Sequence, residues 1–405
     1  MKNTMILVLV FSFVFVACSG DDGGPRIIRD LTQTEQKLVE SSNLFGFNLM
    51  QEVVGLSDGG NVFISPLSVS FALGMTYNGA RTTTEEGMRA ALQYGDLTAE
   101  EINQSYRDLI DLLCDLDPKV TMEIANSIWI REGFEALQAF IDVNRTFFDA
   151  VVEALDFASP GAAGVINAWV NEKTHGKIEE IVEDPIDAMT VMFLINAIYF
   201  KGSWTTEFDP ADTQAAPFHA PSGDTSVQMM HLHAELPYMQ TDEFEAVNMP
   251  YGDGLFSMTV LVPKEGQSVD DLVGSLGANW SAWAAGFAVE EGYLWMPRFE
   301  LEYETSLNDV LKALGMELAF SESMADFSGI NPDHQLFISN VKHKTYVKVN
   351  EEGTEAAAVT SVEVGVTSAP EGFYLRVDRP FLFLIHDAHS QALLFVGKIV
   401  DPPSE

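Results

Sequence analysis

The sequence predicts an α+β protein that folds as a single large domain. Its 405 residues exceed the usual size of one simple core, yet no repeat and no linker rich in Pro, Ser or Gly divides the chain after residue 35. Patterns typical of helices alternate along the chain with short apolar runs typical of strands. We therefore expect one compact unit that contains both helices and β-strands.

Four segments carry the clearest patterns. Residues 34–54 (TEQKLVESSNLFGFNLMQEVV) and 178–185 (IEEIVEDP) space their apolar residues as amphipathic helices do. Residues 258–263 (MTVLVP) and 381–388 (FLFLIHDA) are apolar runs of strand length. These segments predict two helices and two buried strands.

The N-terminus predicts export. Lys2 precedes an apolar run over residues 5–17, which is too short to span a bilayer as a stable helix, so residues 1–17 are interpreted as a signal peptide. The run ends in FVACSGDDGG, which resembles a bacterial lipoprotein lipobox with Cys18 as the acylated residue. The resemblance implies a flexible acidic tether over residues 18–32 and a folded domain over residues 33–403.

The lipobox resemblance also implies a location. Ser19, which follows the cysteine, favours the outer membrane, so we expect a periplasmic or cell-surface protein whose lipid anchor is its only membrane contact. Phe15 stands where the lipobox usually has leucine. The alternative is an ordinary cleaved signal peptide and a secreted, soluble protein.

The chain has only two cysteines. If Cys18 carries lipid, Cys114 has no partner, and no disulfide forms within the mature chain. Cys114 lies in the apolar pattern LIDLLCDL and is predicted to be a small buried residue rather than a redox site.

Charge limits the possible partners. The formal net charge is −38 at pH 7, from 22 basic and 60 acidic residues. Binding to polyphosphates requires clustered Lys and Arg, which this chain lacks, so nucleic acid is excluded as a partner. The acidity predicts a solvated surface, with attraction to a basic partner protein as the alternative.

No motif predicts an enzyme. The chain has no G-x-S-x-G, H-E-x-x-H, C-x-x-C, P-loop or G-x-G-x-x-G pattern, and we expect no cofactor. His231 and His233 would share one face of a strand, with His219 as a third candidate metal ligand. Solvent-exposed histidines without a metal explain this pattern better, so no metal site is predicted.

Residues 343–366 (HKTYVKVNEEGTEAAAVTSVEVGV) read as a strand, a hinge and a second strand. Residues 344–349 alternate between polar and apolar, and EEG at 351–353 interrupts the alternation. From Thr354 onward, every second residue is uncharged, while both later glutamates, Glu355 and Glu363, fall in the other register. This segment could therefore enter a sheet as a new strand without burying a charge.

The motif EEGTEAAA resembles the hinge of a serpin reactive-centre loop. Further segments are similar to serpins in order and spacing over residues 44–402, and they are 61–80 (NVFISPLSVSFALGMTYNGA), 196–219 (NAIYFKGSWTTEFDPADTQAAPFH), 247–263 (VNMPYGDGLFSMTVLVP), 311–330 (LKALGMELAFSESMADFSGI) and 378–402 (DRPFLFLIHDAHSQALLFVGKIVDP). The resemblance implies the serpin fold, which has three β-sheets with surrounding helices and an exposed reactive-centre loop.

The resemblance also implies a function. A serpin is a suicide substrate: a protease cleaves the loop, and the cut loop inserts into the main sheet while the acyl-enzyme is trapped as a covalent complex. The implied hinge residues are Glu351, Gly353, Thr354, Ala356, Ala357 and Ala358. Counting from the hinge places the reactive bond between Thr367 and Ser368, with Val366 and Ala369 as alternative positions.

The bait region favours certain proteases. No Lys or Arg occurs between Thr354 and Leu375, which disfavours trypsin-like targets. We expect an elastase-like or subtilisin-like serine endopeptidase, and a papain-like cysteine protease as the second choice. The alternatives in other classes are a non-inhibitory serpin that acts as a binding or chaperone module and, third, a hydrolase.

Other positions match the family's functional residues. Ser65, Ser68, Asn196 and His343 match the polar cluster beneath the opening of the main sheet, and Trp204 matches the tryptophan at its top. Arg298 and Glu351 match an ion pair at the base of the loop. The segment 96–116, where some serpins bind heparin, is acidic here, so heparin binding is not expected. We expect a monomer.

Overall fold

The computed structural model describes residues 28–354 and 372–403. From Leu31 onward the chain forms one compact unit, and every helix and strand given below lies within it. The predicted signal peptide, most of the tether and Cys18 lie outside the described residues. No helix in the described ranges is long and apolar enough to cross a membrane.

Within the described ranges the chain forms eight α-helices. They are α1 (Gln33–Leu56), α2 (Pro66–Tyr77), α3 (Thr82–Ala91), α4 (Ala99–Cys114), α5 (Gln138–Phe148), α6 (Ala162–Lys173), α7 (Val269–Ala284) and α8 (Asn308–Leu311). Helix α1 confirms the helix predicted at 34–54. It begins with a capping box, in which Thr32 accepts from the backbone N–H of Glu35 and the Glu35 carboxylate accepts from that of Thr32.

The prediction of a second helix at 178–185 is wrong. Helix α6 ends at Lys173, and the chain then crosses the structure as an irregular segment that reaches Pro185. Asn167 replaces the missing helical hydrogen bonds, since its Oδ1 accepts from the backbone N–H groups of Ile181 and Val182. Ile178 and Val182 are buried against the neighbouring core. The apolar spacing therefore reflects the packing of an irregular segment rather than a helix.

Fifteen strands lie in the described part of the chain. They are β1 (Val62–Ile64), β2 (Val120–Arg131), β3 (Val151–Leu155), β4 (Met192–Ser203), β5 (Gln214–Ala220), β6 (Gly223–Gln240), β7 (Phe244–Tyr251), β8 (Phe256–Pro263), β9 (Ala288–Pro297), β10 (Phe299–Ser306), β11 (Lys342–Val349), β12 (Gly353–Thr354), β13 (Phe373–Arg376), β14 (Phe381–Asp387) and β15 (Leu393–Ile399). Strands β8, β11 and β14 confirm the strands predicted at 258–263, 344–349 and 381–388.

These strands form two hydrogen-bonded sheets. The smaller has the order β10-β11-β12-β4-β2-β3. The larger has the order β1-β15-β14-β8-β7-β6-β9-β13, with β5 paired to β6. The long strand β6 is shared, because its residues 238–240 pair with β7 and its residues 229–238 pair with β9. The larger sheet thus consists of two blocks joined through β6, which together with the smaller sheet give the three sheets expected.

Part of the core lies where strands β1 and β15 pack against helices α1 and α2. All residues of β8 and β14 are buried, which explains why their sequences are continuously apolar rather than alternating. Phe63 of β1 stacks between Phe383 and Phe395, with ring centroids 5.5 and 5.4 Å apart. These strands fix the position of α2, and α2 supplies one wall of the site described below.

One buried histidine in this core predicts sensitivity to acid. His386 of β14 places Nε2 2.9 Å from Thr259 Oγ1, and burial lowers its pKa to about 4. Between its ordinary pKa near 6.5 and 4, the unfolded chain binds a proton that the folded chain does not, so stability falls as pH falls. The slope is about 1.4 kcal/mol per pH unit.

We therefore expect His386→Gln to flatten the decline in the free energy of unfolding between pH 6.5 and pH 4, as measured by urea denaturation at several pH values. The matched control is His219→Gln, which removes an exposed imidazole. An unchanged slope in His386→Gln would contradict the assignment.

Candidate functional site

The hinge lies within the smaller sheet. Strand β12 pairs antiparallel with β4, through Gly353 with Ser203 and Thr354 with Gly202. It also pairs antiparallel with β11, through Thr354 and Val349. Among the described residues, β4 and β11 are connected through β12 and not directly. The first residues of the hinge are therefore already a strand of this sheet.

Gly353 is required by its backbone. Its φ is +153°, and a Cβ at this position would lie 2.1 Å from the carbonyl oxygen of Gly202. Real Cβ atoms do not approach an oxygen so closely, so any other residue would push β12 away from β4. The sequence motif EEG thus has a structural reason for its glycine.

Thr354 points into the protein interior. Its side chain is buried, and its Oγ1 is 2.7 Å from the hydroxyl oxygen of Tyr251. Gly202, the partner of Thr354 in β4, faces the same ring, because a Cβ at Gly202 would lie 3.0 Å from Tyr251 Cδ1. Burial raises the pKa of Tyr251, so its hydroxyl is protonated. Thr354 therefore lies on the inner face of the sheet. It is the first member of the uncharged set of alternate residues that the sequence predicts for this face.

A tight turn connects β11 to β12. The side-chain oxygen of Asn350 accepts from the backbone N–H groups of Glu352 and Gly353, both at 3.1 Å, as in an Asx turn. Trp204 covers this turn and donates two hydrogen bonds. Its Nε1–H donates to the carbonyl of Asn350 at 3.0 Å, and its backbone N–H donates to the carbonyl of Glu352 at 2.8 Å. Its ring stacks on Tyr251 at 4.3 Å. Trp204 thus fastens the turn to the top of β4.

Glu351 holds the other side of the turn. Its carboxylate is buried, accepts from Thr213 Oγ1 at 2.7 Å, and lies 3.5 Å from Nε of Arg298. Its carbonyl accepts from the backbone N–H of Phe208 at 2.9 Å. A buried carboxylate needs such partners, because an unpaired charge there would cost several kcal/mol. The acidic residue therefore fixes the turn by both its backbone and its side chain.

A polar cluster lies below β12, between α2 and the two strands. Ser65 donates its backbone N–H to Nε2 of His343 at 3.0 Å and its hydroxyl to the Leu394 carbonyl at 2.8 Å. Ser68 donates its hydroxyl to the carbonyl of Asn196 at 3.4 Å. The N-terminus of α2 thus contacts β11 through His343 and β4 through Asn196.

The two strands do not bond to each other through this cluster. The Asn196 amide donates instead to Asn126 Oδ1 at 2.9 Å, and its own Oδ1 is buried without a hydrogen-bond partner among the described residues. His343 is neutral, because burial lowers its pKa to about 4. Its Nε2 can therefore accept from Ser65, and Nδ1 carries the proton.

A cavity of about 750 Å³ separates β4 from β11 below β12. Its walls include Asn196, Phe200, His343 and Tyr346. The irregular segment after α6 bridges it on the outer side: Lys177 Nζ lies 4.6 Å from the ring centre of Tyr346, and Glu183 pairs with Lys342 at 3.2 Å. Strand β12 thus joins β4 to β11 at the top of the sheet, and the cavity separates these two strands below β12.

The chain matches the sequence model of the family described as serpin (serine protease inhibitor) over residues 40–402. It belongs to the serpin family. An uncharacterised serpin-like protein of Thermococcus kodakarensis is 31% identical, over 99% of each chain. Iripin-2 of the tick Ixodes ricinus is 36% identical, over 91% of this chain and 94% of its own.

Solved serpin structures share the fold. The thermophilic serpin tengpin in its native state superposes with a TM-score of 0.83 at 30% identity, over 93% of this chain and 97% of its own. Human thyroxine-binding globulin complexed with its hormone superposes with a TM-score of 0.83 at 29% identity, over 92% and 100% of the two chains. At the level of the family, protease inhibition is supported, and the fold is the α+β serpin fold.

Part of the predicted site lies outside the described residues. The hinge residues Ala356, Ala357 and Ala358 and the reactive-bond candidates Val366, Thr367, Ser368 and Ala369 are in the range 355–371. The predicted positions that are described all lie around β12 or the cavity, and they are Ser65, Ser68, Asn196, Trp204, Arg298, His343, Glu351, Gly353 and Thr354.

The structure adds residues to the hinge that the sequence analysis missed. Asn350 could have been found, because asparagine before a glycine-containing turn is typical of an Asx turn. Tyr251 and Thr213 carried no signal, since each comes from a distant strand or loop and meets the hinge only in the folded serpin.

The three candidate metal-ligand histidines have other contacts. His219 Nδ1 lies 2.8 Å from Asp224, His233 Nε2 lies 3.3 Å from Glu291, and His231 stacks on Trp295 at 4.8 Å. No cluster of His, Cys, Asp or Glu in the described ranges could hold a metal ion.

Cys114 was predicted to be buried, and this is wrong. Cys114 is a free cysteine, and it is an exposed residue at the end of α4. The buried face of that helix is formed by Leu109, Ile110 and Leu113, and position 114 falls just outside this stripe.

The hinge contacts predict the effect of changing Trp204. Trp204→Phe keeps an aromatic ring over Tyr251 but loses the Nε1–H donor to Asn350, so the free energy of unfolding should fall by about 1 kcal/mol. Trp204→Ala also loses the stacked ring and should cost about 3–5 kcal/mol. Both are measured by urea denaturation, with Trp283→Phe as the matched control. Equal stability of Trp204→Phe and the wild type would contradict a role for this hydrogen bond.

Proposed function

We propose that this serpin inhibits an elastase-like or subtilisin-like serine endopeptidase as a suicide substrate. The observation that carries the proposal is the position of β12, which already extends the sheet between β4 and β11. A cut loop that continued in this register would add a full strand along the cavity between them. Loop insertion into a sheet is a known serpin behaviour, and the contacts of β12 supply its starting register here.

The covalent step is an acyl transfer. The serine oxygen of the protease attacks the carbonyl carbon of Thr367, the amide bond to Ser368 breaks, and the chain that begins at Ser368 leaves with a free amine. The protease is then esterified to Thr367. Insertion of the freed strand carries the ester away from the loop's original position before water can cleave it.

The composition of the inserting strand favours insertion. Thr354 faces the interior, so alternation in an inserted strand would bring the remaining members of its register to the same face. They are Ala356, Ala358, Thr360, Val362, Val364 and Val366. None is charged. The three valines alone would contribute about 1.5–3 kcal/mol each when buried.

The residues around the proposed reactive bond favour an elastase-like or subtilisin-like protease. Thr367 and Ser368 are small and uncharged, as are the neighbouring candidates Val366 and Ala369. A pocket that selects small apolar side chains accepts any of them, whereas a trypsin-like pocket requires a cation. A papain-like cysteine protease is the second candidate target, since the same loop can acylate a thiol.

A non-inhibitory role is the main alternative. A serpin that only binds another molecule does not need an uncharged inner register or a hinge that fits the sheet. The burial of Thr354 against Tyr251 and the close contact of Gly353 with Gly202 favour the inhibitory reading. A hydrolase is disfavoured, because His386, Asp387 and Ser390 are all buried, and Ser390 bonds to the Asp387 carboxylate rather than to the imidazole.

The proposed location is outside the cytoplasm, on a lipid anchor. The lipobox resemblance at Cys18 supports a signal peptide over residues 1–17 and a tether over residues 18–32. Cys18→Ser should abolish incorporation of labelled palmitate in a bacterial host and release the protein from the membrane fraction. Labelling that persists in Cys18→Ser would refute acylation at this residue.

We further propose that the inhibitor is a monomer that needs no heparin, since helix α4 carries acidic residues in its first turn.

The first experiment mixes the serpin from Leu31 onward with an elastase, a subtilisin and a papain-like protease in turn. We expect a covalent adduct of summed mass on a denaturing gel with the elastase or the subtilisin. Mass spectrometry of the released C-terminal fragment then identifies the cut bond. Cleaved serpin without any adduct, for all three proteases, would refute suicide inhibition of these classes.

The hinge supplies a sharper test. Thr354 is buried against Tyr251 in the uncut protein, so Thr354→Arg should expel this residue from the sheet. The guanidinium would then have to be buried when the cut loop inserts, which costs several kcal/mol. Insertion should therefore slow, and the serpin should be cleaved as a substrate instead of forming the adduct. Thr354→Val is the matched control, because it keeps the shape and the buried position. The measurement is the ratio of adduct to cleaved serpin, which should fall at least tenfold in Thr354→Arg and remain within about threefold in Thr354→Val. An unchanged ratio in Thr354→Arg would exclude insertion of this register.

A further inference from the structure

Two lysines flank the path that the chain would follow if it continued strand β12. In β4, the residue before the partner of Thr354 is Lys201. In β11, the residue before the partner of Thr354 is Lys348. Both strands pair antiparallel with β12, so each lysine is opposite the position that follows Thr354, which is Glu355 in the sequence. A continued strand would therefore bring one carboxylate between two ammonium groups.

Lys201 and Lys348 lie on the outer face of the sheet. Each is one residue away from a partner of Thr354, which faces the interior, and successive residues of a strand point to opposite faces. The next outward residues, Tyr199 and Tyr346, contact the irregular segment after α6. A carboxylate between the two lysines would thus remain at the surface of the protein, where its charge is not buried.

Lys201 can form a new ion pair. Its side chain is exposed, and it makes no ion pair with a residue of the described ranges. On the neighbouring strand β2 it is opposite Thr121, and Glu123, two residues further along, pairs with His175 at 3.0 Å. A single exposed ion pair contributes little to stability in general, but the carboxylate of Glu355 would meet two cations at once.

Lys348 can donate to a second carboxylate. Its Nζ donates to Glu300 at 3.0 Å, and Glu300 also accepts from the hydroxyl of Tyr346 at 2.7 Å. An ammonium group carries three N–H donors, so the bond to Glu300 leaves donors for another acceptor. The side chain of Lys348 is still 31% exposed. Lys348 can therefore keep its present partner and bind Glu355 as well.

The other outward lysines of β11 do not match an acidic residue of the loop. Lys342 and Lys344 each pair with two carboxylates of neighbouring segments. The residues opposite them in a continued strand would be Ser361 and Val359, and neither carries a charge. Along β11, opposite charges therefore meet at one level only, which is the level of Glu355.

We propose that Lys201 and Lys348 are positioning residues for loop insertion, and that they bind the carboxylate of Glu355 when the cut loop enters the sheet. This inference rests on the proposed inhibitory function. Glu355 directly follows the strand that is already paired, so its contacts form at the start of the extension. The two ion pairs favour insertion over hydrolysis of the ester, and they raise the share of the protease that is trapped.

The test measures the ratio of adduct to cleaved serpin with an elastase and with a subtilisin. In Lys201→Gln/Lys348→Gln the ratio should fall about fivefold at low salt. At about 1 M salt it should differ from the wild type by less than about twofold, because exposed ion pairs are screened. Lys201→Arg/Lys348→Arg keeps both charges and should stay within about twofold of the wild type at low salt. Equal ratios for the wild type and the glutamine variant at low salt would overturn the proposal.

A mutant cycle identifies the partner of the two lysines. In the Glu355→Gln background, the same lysine substitutions should change the ratio less than about 1.5-fold, because the carboxylate that they bind is already removed. An equal fall in both backgrounds would overturn the proposal. Glu300→Gln removes the present partner of Lys348 and should keep the ratio within about twofold of the wild type. A fall in Glu300→Gln as large as in the lysine variant would assign the effect to the contact between β10 and β11 instead.

The matched control is Lys37→Gln/Lys312→Gln. It removes two lysines that pair with other carboxylates, Asp96 and Asp309, and it changes the net charge by the same amount. Its ratio should equal that of the wild type. A fall as large as in Lys201→Gln/Lys348→Gln would attribute the effect to net charge and overturn the proposal.

A second measurement separates this inference from the proposed function. Adduct at the same ratio in the wild type and the lysine variant overturns the inference and leaves the inhibitory function standing. If the wild type forms no adduct, the loop is cut with trypsin in a Thr367→Arg background, and the Tm of the cut protein is measured. Lys201→Gln/Lys348→Gln should then lower the Tm by about 2 °C with Glu355 present and by less than about 0.5 °C in Glu355→Gln. Equal shifts in the two backgrounds would overturn the inference.

Discussion

The contact between the backbones of Gly353 and Gly202 determines the arrangement of the whole hinge. No side chain fits between them, since a Cβ on Gly353 would meet the Gly202 carbonyl oxygen at 2.1 Å. The contact sets one register, in which Thr354 is opposite Gly202 and faces Tyr251. Because side chains alternate along a strand, this single pairing decides which face every later residue would take. A shift by one residue would bring Glu355 and Glu363 to the inner face instead of the valines.

The surrounding contacts hold the top of the sheet and leave its lower part weakly joined. Trp204 and Glu351 bind the turn through both backbone and side chain. Below it, Asn196 Oδ1 is buried without a partner in the described structure, and such a group costs about 1–3 kcal/mol. The bridging segment after α6 contacts β11 through the long side chains of Lys177 and Glu183. An added strand would therefore meet little resistance between β4 and β11, whereas the top is already fixed.

The sequence predicted what depends on local patterns. Helix α1 and strands β8, β11 and β14 follow from periodicity. The serpin resemblance singled out Trp204, Arg298 and Glu351, and the structure brings all three to one turn. The prediction of a helix at 178–185 was wrong because an irregular segment that packs on the core can have helical apolar spacing. The prediction that Cys114 is buried was wrong, because on a helix a residue next to the buried face can be exposed to solvent. Tyr251 and Thr213 could not be predicted, since tertiary packing alone brings them to the hinge.

The preformed hinge also bears on the kinetic competition in a suicide inhibitor. Deacylation of the trapped protease competes with strand insertion, so the slowest part of insertion decides the outcome. Forming the first pairs of a new strand is the costly step, because it orders several residues for few hydrogen bonds. Gly353 and Thr354 are paired in the uncut protein, so under the proposed mechanism insertion would only have to extend an existing strand. Val359 would fall in the outward register of an inserted strand, and its β-branched side chain would slow single steps of that extension rather than its start. Under the proposed mechanism, the glycine contact at the top of the sheet thereby links the fold to the speed of insertion.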